Sequence, residues 1–208
     1  MPVITFSQKF QTKHPRKGEP THFVEQILNQ LGCDFQYQSF SYWTKLVQLN
    51  HEKIKSGKLT EKQIEDFILD LNFELDTSSK KLHTIRNGSR FSAGEKFTPA
   101  VWSGKPYHSP QIIFYDDIEV KAEYNFSIDA WGSDFRYNIY QMLEINGLKI
   151  SGKGTETHNM NAKLEEIAKN DGLSLEDFKA WFGTDKPKNN IDFSGQIICW
   201  ADAKYLQA

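Results

Sequence analysis

The chain has 208 residues, 38% hydrophobic and 25% charged, with 25 Lys and Arg against 27 Asp and Glu for a net charge of −2. That balance excludes an intrinsically disordered chain and a protein that coats nucleic acid by bulk positive charge, and the length is enough to bury a real core. No apolar run approaches the roughly 18 residues of a membrane helix.

The opening MPVITFSQKF lacks the basic-then-apolar pattern of a secretory signal. The two cysteines, Cys33 and Cys199, stand in no metal-ligand spacing. A cytoplasmic protein with reduced thiols and no membrane partner is expected.

VITF (3–6) reads as a first strand. KFQTKHPRKGEP follows, a basic loop broken by Pro15, Gly18 and Pro20, in which Lys13, Arg16 and Lys17 can meet phosphate or simply stay solvated. Phe23, Ile27 and Leu31 predict a helix over 21–31, and Trp43, Leu46, Val47 and Ile54 predict another over 41–56 that stops at Gly57. Thr60 and Gln63 form a capping box, with Leu59 and Ile64 as its hydrophobic staple, for a helix running to about residue 75. The two later helices make a helical-hairpin insertion over 32–79.

From residue 82 the pattern turns to β, through LHTIR, EKFTPAVW, the long run QIIFYDDIEVKAEYNFSIDAW, and RYNIYQMLEI. Asn146-Gly147 is a two-residue hairpin signal, and 151–159 reads as a loop. Asn161 is placed to cap a helix that stops at Gly172. Ser174, with Asp177 three residues on and Leu173 and Phe178 as staple, caps another. QIICW (196–200) is a last buried strand. The expected fold is α+β: one domain over 1–208, a small mixed β-barrel flanked by helices. Trp181, Phe182, Trp200 and Phe178 are expected in its core.

No glycine-rich phosphate loop is present, the six histidines are scattered, and KNDG fits a helix C-cap better than a calcium loop. No metal or organic cofactor is expected. In KKLHTIRNG, strand alternation puts Lys81, His83 and Ile85 on one face and Leu82, Thr84 and Arg86 on the other. Threonine becomes a nucleophile only beside a base. Lysine is that base only where burial or a positive neighbour such as Arg86 lowers its pKa, and a carboxylate then orients it. On residue pattern alone the ordinary reading prevails, with Thr84 a common strand residue and Lys81 a solvated one.

In chain order, ITFSQKFQ, KLHTIR with the turn FSAGEKF, and NDGLSLEDF with a final apolar strand resemble the ASCH domain, a β-barrel superfamily related to the RNA-binding PUA domains. The K-x-x-T-x-R element is similar to that of the bacterial N4-acetylcytidine amidohydrolases, whose catalytic residues are a lysine, a threonine and a glutamate. The resemblance implies Lys81 and Thr84 in the first two roles and Asp171, in place of glutamate, in the third. It covers the barrel, about half of the chain. HPRKGEPTHFVE and WSGKPY resemble longer, uncharacterised ASCH-like proteins of phage and bacterial genomes.

The leading expectation is therefore a PUA-like module that binds RNA or a modified nucleoside in a polar cleft. Tyr107, Trp102 and Trp131 would stack on bases, and Lys13, Arg16, Lys17, Lys105 and Arg86 would meet phosphate. The alternative is an amidohydrolase in which Thr84 attacks, Lys81 is the base, Asp171 orients it and Arg86 stabilises the oxyanion. A third reading makes the helical insertion a protein-interaction surface.

Overall fold

The computed structural model describes residues 1–33, 39–72, 75, 76, 78–132, 139–145, 148–151, 156–183, 191–203 and 205. The elements begin with β1 (Val3–Thr5), α1 (Phe23–Gln30), α2 (Ser39–Leu49), α3 (His51–Lys55), α4 (Glu61–Leu69) and β2 (His83–Asn87). Then come β3 (Lys96–Trp102), β4 (Gln111–Ile113), β5 (Ile118–Glu119), β6 (Ala122–Gly132), β7 (Ile139–Ile145) and β8 (Leu148–Ser151). The chain ends with α5 (Glu156–Asn170), α6 (Leu175–Phe182) and β9 (Ile191–Cys199). The fold is α+β with two sheets, and no pairing among the described residues closes either into a barrel. No helix among them is long and apolar enough to cross a membrane.

The chain divides into two compact units. The first comprises Met1–Phe10, Gly18–Lys80 and Glu95–Glu119. Its mixed sheet has β1 parallel to β3, with β4 and β5 antiparallel to β3. The Thr60–Gln63 capping box forms as expected, and Leu59 and Ile64 are both buried. The helix expected over 41–56 breaks at Asn50. Its side chain accepts from Ile113 N and donates to Ile113 O, both at 2.9 Å, bonding the exposed edge of β4 as a neighbouring strand would. Local periodicity carries no trace of that distant partner. The helix expected to reach about residue 75 ends at Leu69.

The second unit comprises Gln11–Lys17, Lys81–Gly94 and Val120–Ala208. Its antiparallel sheet has the order β2-β9-β6-β7-β8. The β7–β8 register sets Ile145 opposite Leu148, while Asn146 and Gly147 themselves lie outside the described residues. One face of the sheet carries His83, Cys199, Ile197, Phe193, Tyr124 and Phe126. Against it pack Phe178 and Phe182 of α6, and the rings of Phe178, Phe182, Phe193 and Phe126 meet at centroid distances of 4.8–6.3 Å. Trp200 and Phe178 are buried, whereas Trp181 and Phe182 are only half-buried.

Ser174 caps α6 by accepting from Asp177 N, and Gly172 takes the left-handed conformation that ends α5. The helix preceding that turn begins at Glu156, not at an Asn161 cap, so 156–159, expected in a loop, are helical, while 152–155 lie outside the described residues.

Candidate active site

β2 is an edge strand, and its entry is tied to the turn between α5 and α6. Leu82 N donates to Asn170 O at 2.7 Å, and Trp200 Nε1 donates to Lys81 O at 3.1 Å. This brings Lys81 onto Asp171. The ammonium donates to the Asp171 carbonyl oxygen and, at 2.5 Å, to its Oδ1. Although one methylene shorter than glutamate, Asp171 reaches the lysine directly. Lys81 also supplies a positive charge where the last carbonyls of α5 leave negative potential.

Lys81 is 1% exposed and Asp171 is 6% exposed. Burial draws the lysine down to about 8, against the pull of Asp171 and with help from the nearby positive charge of Arg86. Burial likewise raises Asp171, while Lys81 and Arg86 hold it back. Burial thus moves the two groups' acidities toward one another within a buried ion pair.

Of the residues expected to form the site, the structure brings Lys81 and Asp171 into contact and Arg86 within electrostatic reach of both. Thr84 is buried, and no hydrogen bond among the described residues joins it to Lys81 or Asp171. It shares its face of the sheet with Arg86, Gln196, Glu123 and Asn125. Gln196 is 2% exposed and pins the loop after β2: its Oε1 accepts from Arg90 N and Phe91 N at 3.1 and 3.2 Å. Glu123 Oε2 accepts from Ala93 N at 2.9 Å. A polar strand face beside Thr84 is thus backed by a loop held in place at several points.

Three members escaped the sequence reading. His83 is fully buried, with Nδ1 paired to Tyr205 Oη, and Asn170 Nδ2 donates to the same oxygen at 2.9 Å. Alternation does place His83 with Lys81. Tyr205 and Asn170 have no local signal, because each joins only when the C-terminal segment and α5 return to β2.

The residues expected to meet nucleic acid belong to different units. In the second unit Lys13 and Lys17 are exposed, while Arg16 is paired with Asp177 Oδ2 at 2.7 Å. Arg16 N also donates to His14 Nδ1 at 3.1 Å, and His14 is buried with Nε2 directed to Asp177 O at 3.2 Å, so this loop is fastened to the start of α6. In the first unit Lys105 and Tyr107 are exposed, and Tyr107 tilts against Trp102 at a centroid distance of 5.4 Å. Trp131 lies on β6 opposite Tyr140. No protein family, curated protein or solved structure matches the chain.

Proposed function

We propose that the second unit is an ASCH-like amidohydrolase that removes the acyl group from an N4-acylated cytidine-type nucleoside. The observation that carries the reading is the buried Lys81–Asp171 pair, in which a lysine lowered to about 8 sits three residues before Thr84. Two opposite charges satisfied by each other are poor phosphate ligands, whereas a lysine that loses its proton near neutral pH is a competent base.

In this reading neutral Lys81, on the strand face opposite Thr84, takes the Thr84 hydroxyl proton through one water as Oγ attacks the acyl carbon, and Arg86 stabilises the oxyanion. Lys81 returns the proton to the departing exocyclic nitrogen, leaving an acyl-threonine and free cytidine. Water then adds to that ester, Lys81 again moving the proton, and a carboxylic acid leaves. The fold that accompanies the proposal is the PUA/ASCH-like barrel.

The experiment is acetate release from N4-acetylcytidine by purified protein. The rate should rise with pH through about 8, as Lys81 loses its proton, and Thr84→Ala should lower it by roughly a thousandfold or more. Wild-type protein that leaves the acetyl group intact, or Thr84→Ala that keeps the rate, overturns the reading.

A second reading, RNA binding, is favoured by Tyr107. It is 87% exposed at a positive φ of 64°, in a turn where Lys105 O accepts from His108 N and Ser109 N, each at 3.1 Å. An ordered turn that presents an aromatic ring to solvent suits stacking on an unpaired base.

A further inference from the structure

His83 stands beside the proposed base with no role in the hydrolytic scheme. Its ring is clamped at one nitrogen. Tyr205 Oη accepts from Asn170 Nδ2 and pairs with His83 Nδ1. The tautomer in which the tyrosine gives its hydrogen to Nδ1 puts the imidazole proton on Nε2. Nε2 has no hydrogen-bond partner among the described residues and faces Asp171 Oδ1 at 3.9 Å. The oxygen it faces is the one that Lys81 already occupies at 2.5 Å.

The ring is neutral, since burial and the Lys81 charge hold His83 well below the ordinary histidine value. The other groups around it are known. Arg86 reaches Lys81 and Asp171 from β2; Cys199 on β9 and Tyr205 both have pKa values raised by burial and by Asp171. Glu123 of β6 acts on Cys199, Glu166 of α5 acts on Tyr205, and Lys163 lies 5.4 Å from the Tyr205 ring centroid. Among these, His83 Nε2–H is the neutral donor aimed at the Asp171 carboxylate.

A base needs the lysine neutral while Asp171 stays ionised, which leaves the buried carboxylate without its ammonium partner. We propose that His83 is a positioning residue for the Lys81–Asp171 pair, its Nε2–H taking over the Asp171 carboxylate when Lys81 gives up its proton. In the resting pair the ammonium holds Oδ1 and the imidazole waits just beyond bonding distance. Once the amine is neutral and turns toward its substrate proton, a small rotation of the carboxylate closes the gap. The charged carboxylate is then never left bare, and the base form becomes easier to reach. This inference rests on the amidohydrolase reading for its catalytic meaning, but its test reads the proton directly and needs no substrate.

The test follows Lys81 by NMR of protein labelled at lysine Cε, across a pH titration of wild type, His83→Leu, His83→Gln and Tyr205→Phe. Losing a hydrogen bond to the charged form should raise the Lys81 midpoint in His83→Leu by about one to two pH units. His83→Gln, whose amide nitrogen lies near the imidazole Nε2, should bring it most of the way back. Tyr205→Phe, which frees Nδ1 to take the ring proton, should raise it by less. An unchanged midpoint in His83→Leu, or one that His83→Gln does not bring back, overturns the proposal. Should His83→Leu fail to fold, Tyr205→Phe decides: a raised midpoint supports the proposal and an unchanged one refutes it. Absence of N4-acetylcytidine hydrolysis with these midpoints shifted as expected would refute the substrate reading alone.

Discussion

Replacing Asp171 by asparagine keeps the shape of the side chain and removes its charge. In the wild type the carboxylate, 2.5 Å from Lys81 Nζ, keeps the proton on the lysine up to about pH 8, against an ordinary value of 10.5. Without it, burial and Arg86 both favour the neutral amine, so native Asp171→Asn gives up the Lys81 proton at lower pH than the wild type. The unfolded chain still holds that proton up to its ordinary value. A lysine whose folded pKa lies below its unfolded one makes stability rise with pH, by about 1.4 kcal/mol per pH unit, wherever only the unfolded chain is protonated.

For the wild type that window opens near pH 8; for the variant, which lacks the Asp171 charge that raises the lysine, it opens at lower pH. The variant should therefore gain on the wild type below about pH 8, by about 1.4 kcal/mol for each pH unit that separates the two openings, after which the two curves run parallel. The raised carboxyl of Asp171 acts in the same direction: its contribution is lost as pH rises through its folded value, and only the wild type has it to lose. Urea unfolding of both proteins across this range, followed by tryptophan fluorescence, gives the difference directly, since every other group titrates in both. Parallel curves from about pH 6 to 8 would refute the reasoning, because they would mean that Lys81 keeps its proton without Asp171.

Gly195→Ala places a methyl 2.1 Å from Arg86 O, with backbone on both sides of the contact, so β2 must move away from β9. A loss of about 2–3 kcal/mol in urea unfolding is expected, together with slower hydrolysis because Thr84 and Arg86 shift with the strand; unchanged stability would show that the edge strand yields freely. Tyr107→Ala should weaken binding of single-stranded RNA about fivefold or more if the ring stacks on a base, and equal affinity for wild type and variant removes the RNA-binding reading.

Signals that act within a few residues were legible in the sequence. The Thr60–Gln63 box and the Ser174 cap work across three positions, and the β-branched and aromatic runs became strands at their expected places. The spacing of Lys81, Thr84 and Arg86 was also readable, as was the position of Asp171 before the last helix. What joins them was decided by the tertiary structure. Lys81 and Asp171 are 90 residues apart, Arg16 and Asp177 are 161 apart, and His83 and Tyr205 are 122 apart. Asn50 ends a helix that its neighbours would have continued, because the edge of β4 offers both a donor and an acceptor to its amide. Periodicity and capping depend on neighbouring backbone, whereas a buried charge or amide takes its partner from whichever strand or turn the topology brings alongside. Burial then makes that partner matter, by turning an ordinary surface lysine into one that can lose its proton near neutral pH.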